Sequence, residues 1–451
     1  MRPFADMTVS AVSPRSSSSL VPLPRLWSAA AVAFFCCLAF TANGSAQASS
    51  SAATITASED AGRCTVREVG RDSLMLGRRR LYVGPQSLEA NAAGELFLAS
   101  DYNALMDRDS AGVWKPVVMD SVVGVVISPQ GMPRLVHAPI GNRLLGEVRV
   151  APNTDGSWTV VYAERLESDE LPPDFKPRNS RRLWSGIVRG AELTMLDTLP
   201  HPEGWIMSAD LSPMARTGDT LAVAVIAQVP NDFRRTIIFE RRDGRWAYES
   251  LVTRFGMWAA PGYSPVSGLV MASVESDPYT PGSSGNTLFI WQRRGEWERT
   301  RRVIPGEEQG VQRPSLLFRA DGSGSLSWMT APAGRASWRA FAMSGNVAEK
   351  NEPVVTVEPA TSVWADVFAL PWNSHSDLWI MPHEDRPGEM SQIRFVDAAG
   401  NLLHHLPTPF VTDIASVRTG NGEYVVVGGV YNTTELHVTT VLLRFQVECA
   451  R

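Results

Sequence analysis

The feature that most limits the folds open to this chain is a recurring segment in which a tryptophan is followed seven or eight positions later by a proline. It reads WIMSADLSP from Trp205, WAAPGYSP from Trp258 and WADVFALP from Trp364, and VVGVVISP from Val122 has the same length with valine in place of the ring. A short turn and an apolar strand follow each copy: DTLAVAVIA, GLVMASVE, DLWIMPH and PRLVHA. VQRPSLLFRADGSGSLSWMT and VTDIASVRTGNGEYVVVGG keep the scheme without the tryptophan. From Trp205 the unit starts fall at Trp258, Val311, Val363 and Thr412, a spacing of roughly 50 residues, near the period of propeller repeats.

A second hairpin follows in several units. DSAGVW, NTDGSW, RRDGRW and RRGEW each place glycine two residues before tryptophan. Glycine permits the tight turn, and the ring on the next strand can cover the sheet. Two hairpins make four strands, and no long segment has helical periodicity, so the chain is expected to be all-β. Four-stranded sheets arranged radially bury both faces and leave short edges, which is the β-propeller solution. The spacing implies about seven blades, with six or eight also compatible; Leu81 to Leu199 is less regular and reads as two blades and an extra hairpin.

The N-terminus carries a different signal. Arg2, Arg15 and Arg25 precede an apolar run from Leu26 to Phe40, and SAQA ends at Ala48, the pattern of a cleaved export leader. The expected organisation is a signal peptide over 1–48, a flexible segment over 49–62 and one propeller over 63–451, secreted or periplasmic, with no membrane span after cleavage. Export favours disulfides, and outside the leader only Cys64 and Cys449 remain. An N-terminal strand completing the last blade would set CTVREV beside LLRFQVEC, so these two cysteines are expected to form a disulfide fastening the ring where its ends meet.

Charge narrows the partners. The chain has 42 basic and 47 acidic residues; removing the leader leaves about −7, which argues against nucleic acid. A monomer binding a carbohydrate, peptide or protein is expected, with no cofactor. His375 and Asp377 begin a strand whose far end leads to His383, Glu384 and Asp385, so these groups fall on opposite faces and no metal site is expected. There is no G-x-S-x-G elbow, H-E-x-x-H helix, P-loop or dinucleotide fingerprint.

The strand, Asp/Gly turn, strand and Gly-x-Trp hairpin resemble the repeat of sialidase-like propellers of the Asp-box type. VQRPSLLFRADG is similar to the arginine-containing segment that opens the first blade in that family. The resemblance implies a propeller, and it implies that Arg313 could hold an anionic group; it assigns no catalytic residue.

Long loops from Glu167, Ser276 and His383 occupy the slot between second and third strands, on the face where the inner strands begin. Trp205, Trp258, Gln312, Arg313, Trp364, Asp366 and Asp413 lie at or near those starts and are the candidate ligand-binding residues. The expected function is a ligand- or protein-binding module working through this face and the central channel. A sialidase-like glycoside hydrolase and a scaffold of a cell-surface assembly are the alternatives.

Overall fold

The computed structural model describes residues 64–84, 87–100, 102–119, 121–138, 145–166, 181–200, 209–228, 234–251, 256–276, 286–302, 311–319, 322–330, 335–342, 355–357, 368–371, 377–383, 391–397, 400–432 and 437–449. The expected leader and the segment that follows it lie outside these residues. Every regular element described is a strand.

The first strand, β1 (Cys64–Ser73), leads into β2 (Met75–Leu76), β3 (Arg79–Val83), β4 (Ser87–Ala90), β5 (Leu96–Ala99), β6 (Asn103–Arg108), β7 (Trp114–Val118), β8 (Val122–Ile127) and β9 (Pro133–His137). These do not pair in simple succession. One sheet has the order β4-β5-β8-β9, and a second, β2-β3-β6-β7, is threaded through it by alternate hairpins. The irregular stretch therefore holds an extra four-stranded sheet, where the sequence suggested only an extra hairpin.

Regular units follow. Strands β10 (Leu145–Pro152), β11 (Trp158–Arg165), β12 (Arg181–Arg189) and β13 (Glu192–Thr198) form one antiparallel sheet in chain order. In the next, β14 (Ala209–Leu211) and β15 (Ala215–Thr217) both pair with β16 (Thr220–Gln228), and β17 (Arg234–Arg242) and β18 (Arg245–Leu251) complete it. The inner strand is split at Pro213, which has no N–H to give the ladder. Two more sheets comprise β19 (Gly256–Ser264), β20 (Gly268–Ser276), β21 (Asn286–Arg294) and β22 (Glu296–Arg302), and then β23 (Val311–Phe318), β24 (Ser323–Thr330), β25 (Arg335–Ala342) and β26 (Val355–Val357).

The last strands are β27 (Phe368–Pro371), β28 (Asp377–His383), β29 (Ser391–Val396), β30 (Leu402–Arg418), β31 (Tyr424–Asn432) and β32 (His437–Cys449). The early part of β30 pairs with β29 and its later part with β31, so an outer strand runs directly into the next inner strand. β1 joins on the far side, antiparallel to β32, with Cys64 opposite Cys449 and Val66 opposite Val447. The first described strand thus sits beside the last, as the sequence led us to expect.

The reason for this stacking is visible in TLAVAVIA, an apolar run of β16 with no polar face. Its Val223 and Val225 pack with Val161, Leu183 and Phe239. Its Ala222, Ala224 and Ile226 pack on the other side with Met271 and Trp291. A strand buried on both faces needs apolar residues at every position, because alternation survives only where one face meets water. Leu288 and Val270 continue the series against Leu326 and Trp328, and Phe97 and Val126 meet Trp158 and Tyr162 at the other end. Sheets packed face to face in series are the architecture of a β-propeller.

Inner strands follow one another in the same order. β4 lies against β10, β10 against β14, β15 and β16 against β19, β19 against β23, β23 against β27, β27 against β30, and β30 against β4. The extra sheet wedges at the last of these junctions. Leu81 and Val83 of β3 pack with Leu88, Leu98 and Val125 of the first sheet and with Val417, Val427 and Leu442 of the last. Thr440 Oγ1 clips β3 from the side, accepting from Val83 N at 2.7 Å and donating to Val83 O at 3.2 Å.

One turn type recurs at the hairpins. Asn91, Asp109, Ser128, Asn153, Asp397 and Thr419 each accept from the N–H of a glycine three residues on, and each donates its own N–H to the carbonyl four residues on. In the Asn91 and Asp109 copies the side-chain oxygen also accepts two backbone N–H groups of the turn. The glycine is required because its backbone is left-handed, as at Gly156 (φ 81°). The Gly-x-Trp hairpins behave as expected: Trp158 is fully buried, and Trp246 and Trp297 pack against the inter-sheet clusters.

Candidate functional site

Four inner strands lose register near their first residues. The ladder slips in β10 between Leu145 and Val148, in β19 between Gly256 and Trp258, in β23 between Gln312 and Ser315, and in β30 between Phe410 and Ile414. A bulge adds a residue to one strand, twists it and re-aims a side chain, so its repetition near the starts of four inner strands gives that end of the propeller a shape of its own. Glu147, Trp258, Arg313 and Asp413 lie in or beside these four irregularities.

Arg313 is held most unusually. It has φ 47° and is one of only two non-glycine residues with positive φ among the described residues. The other, Asp243, belongs to the Asp-Gly turn between β17 and β18. Arg313 instead sits inside a strand and directly precedes Pro314, where β-region geometry is favoured. Its left-handed backbone costs about 1 kcal/mol or more and persists only because the surroundings impose it.

Around the bulges lie acidic groups that the sequence reading did not single out. Glu147 accepts the backbone N–H of Leu211 from the neighbouring sheet and lies 3.5 Å from the Arg149 guanidinium. Glu164 and Glu275 occupy equivalent places in two sheets, opposite Leu145 and Gly256 respectively. Both are almost fully buried. Each accepts a tryptophan indole N–H, from Trp184 at 2.5 Å and from Trp291 at 3.3 Å. Arg299 also approaches Glu275 at 3.6 Å. The available signal was an acidic residue closing an otherwise apolar second strand, as in VVYAE and VMASVE.

A further carboxyl lies on the inner strand β4, near its hairpin end. Glu89 is half-buried, yet the protein around it displaces enough solvent to push its pKa up to about 7, against the lowering influence of Arg216. Desolvation disfavours the charged form, so the carboxyl keeps its proton to a higher pH than an exposed glutamate does.

The expected site residues are placed as follows. Trp258 is half-buried and packs against the cluster of Ala260, Val270 and Trp328. Gln312 pairs with Met329 at the bulge that contains Arg313. The backbone of Asp413 falls inside the irregular stretch of β30. Trp205, Trp364 and Asp366 lie outside the described residues, as do most residues of the three long loops. Among the described residues no group of three or more His, Cys, Asp and Glu is placed to hold a metal ion. No helix among them is long and apolar enough to cross a membrane.

No protein-family model matches the sequence, and no curated protein matches it. Solved structures do. The chain is similar to a protein of unknown function from Dyadobacter fermentans, with 13% identity and a TM-score of 0.45 over 85% of this chain and 99% of that one. Virginiamycin B lyase from Staphylococcus aureus aligns over 85% of this chain and 99% of its own, with 10% identity and a TM-score of 0.46. The polysaccharide lyase Uly1 aligns over 80% and 90%, with 8% identity and a TM-score of 0.48. The architecture itself rests on the sheet order and inter-sheet packing described above.

Proposed function

We propose that this chain is an exported binding protein, a ring of seven blades closed by β1 in the last of them, that takes an acidic oligosaccharide at the bulged end of its inner strands. The observation that carries this reading is the strained Arg313 in a bulge level with those that carry Glu147, Trp258 and Asp413. Backbone strain inside an inner strand is retained where a side chain must be aimed. A guanidinium suits a sugar carboxylate, which it can grip through two parallel hydrogen bonds, and an indole offers an apolar face to the ring. A carboxylate such as Glu147, at the bulge of another inner strand, would accept sugar hydroxyls. The leader-like start of the chain supports export.

The test is calorimetric titration with trigalacturonate and, in parallel, with neutral maltotriose. Trigalacturonate should bind, and Arg313→Ala should weaken it about tenfold or more, the worth of a charge-assisted hydrogen bond. Equal affinity for the two sugars, or an unaffected variant, would refute the proposal.

Hydrolysis is a second reading, favoured by Glu89. A carboxyl that keeps its proton near neutral pH meets the need of a general acid. Release of a fluorogenic aglycone that disappears in Glu89→Gln would select this reading over binding alone.

A further inference from the structure

We infer that Cys64 and Cys449 are a modification site, closed as a disulfide that locks the first strand of the propeller onto the last. The two residues are direct partners in the antiparallel ladder of β1 and β32, 385 positions apart in the chain and at the end of that ladder. Opposite residues in such a ladder hold their Cα atoms about 4.5 to 5.5 Å apart, and disulfides span about 4.4 to 6.8 Å, so the backbone needs no movement to be bridged.

The position also needs a lock. Towards its middle the ladder is anchored by Val66, which is buried among Leu378, Tyr424 and Phe445. The side-chain contacts on either side of it are exposed: Thr65 Oγ1 reaches Glu448 O at 3.4 Å toward the cysteines, Arg67 reaches Gln446 at 3.0 Å on the inner side, and the Arg67–Glu448 pair is 3.9 Å apart. Exposed pairs of this kind contribute little, so this end of the ladder would fray first. A covalent link at that end holds the strand where hydrogen bonds alone would not. It also closes a loop of nearly the whole chain, the condition under which a cross-link restricts the unfolded ensemble most.

The chemistry balances with an external disulfide as oxidant, either a thiol–disulfide exchange protein or oxidised glutathione. The thiolate of one cysteine attacks that disulfide and forms a mixed disulfide, releasing one thiolate. The second cysteine then loses its proton, its thiolate displaces the remaining half of the oxidant, and the oxidant leaves as two thiols carrying both electrons.

The experiment uses the full-length chain in a glutathione redox buffer, so that its outcome does not depend on export or on the ligand site. After alkylation of free thiols and tryptic cleavage without reduction, mass spectrometry should find Cys64–Arg67 joined to Phe445–Arg451, lighter by two hydrogens than the separate peptides. Both peptides alkylated, or Cys64 joined to Cys36 or Cys37, would overturn the inference. Thermal unfolding supplies a second readout. Dithiothreitol should lower the midpoint of the wild type to that of a C64S/C449S double variant and leave the variant unmoved. A wild-type midpoint indifferent to dithiothreitol would likewise overturn it.

Discussion

Tyr263 donates its phenolic hydroxyl to Glu240 at 2.8 Å, tying β19 to β17 of the preceding sheet. The same carboxylate accepts Arg293 at 2.8 and 3.2 Å and Arg242 at 2.9 Å, so one nearly buried acid collects donors from three strands across a blade junction. Neighbouring sheets meet mainly through apolar side chains, which hold them together without fixing how far one slides along the other. A directional network at the junction sets that register.

Glu240→Ala should therefore destabilise the fold by about 2–4 kcal/mol, since it strands Arg293 without its main partner. Burial alone would raise the Glu240 pKa, but its hydrogen bonds from Arg293, Arg242 and Tyr263 outweigh this and hold it below the usual carboxylate range. A depressed pKa contributes stability above the unfolded value of 4.5 and loses it as pH falls through the folded value. Urea unfolding at pH 7 and below pH 4 should accordingly show the gap between wild type and variant narrowing in acid.

Glu89 has the opposite sign. Its folded pKa of about 7 lies above the ordinary 4.5, so its contribution is fully present below 4.5 and is lost as pH rises through 7. Glu89→Gln removes the penalty of burying a charge. Its melting temperature should overtake that of the wild type as pH increases from 5 to 8, and parallel curves across that range would contradict the assignment.

Arg313 pairs a stability cost with the recognition role proposed for it. Arg313→Gly relieves the left-handed backbone and should raise stability by roughly 1 kcal/mol while abolishing binding of the acidic sugar. Chemical denaturation and calorimetry on the same preparation read the two effects separately. A glycine variant less stable than wild type would mean that the contacts of the arginine outweigh its strain.

Gly124 tests how closely β5 and β8 approach. A Cβ there would lie 2.5 Å from the Leu98 carbonyl oxygen and 2.5 Å from Phe97 Cε1, and a backbone oxygen cannot swing away. Gly124→Ala should cost about 1–3 kcal/mol or more through overpacking, measurable as a lower denaturation midpoint at unchanged slope.

Much of this fold is legible in short stretches of the chain. The Asn91, Asp109 and Asn153 turns announce themselves because the side chain, the glycine and the backbone hydrogen bonds that need them lie within five residues. The partnership of CTVREV with LLRFQVEC could be anticipated because each carries one cysteine and an alternating strand pattern at an end of the propeller. The interleaving of β2-β3-β6-β7 with β4-β5-β8-β9 could not. A hairpin looks the same whichever sheet it joins, and the choice is made by where Leu81 and Val83 find apolar partners hundreds of residues away.

The candidate site divides in the same way. Trp258, Arg313 and Asp413 were legible as positions at strand starts, because the repeat fixes where a strand begins. The bulges around them, the strained backbone of Arg313 and the paired placement of Glu164 and Glu275 depend on the register of two strands at once. The sequence alone thus determined the four-stranded unit, its turns and its repetition, since those follow from side chains and backbone in local contact. Only the tertiary structure decided which hairpins share a sheet, which carboxylates lie beside the bulges and which residue bears the strain, because each is settled by packing between segments that the chain order keeps far apart.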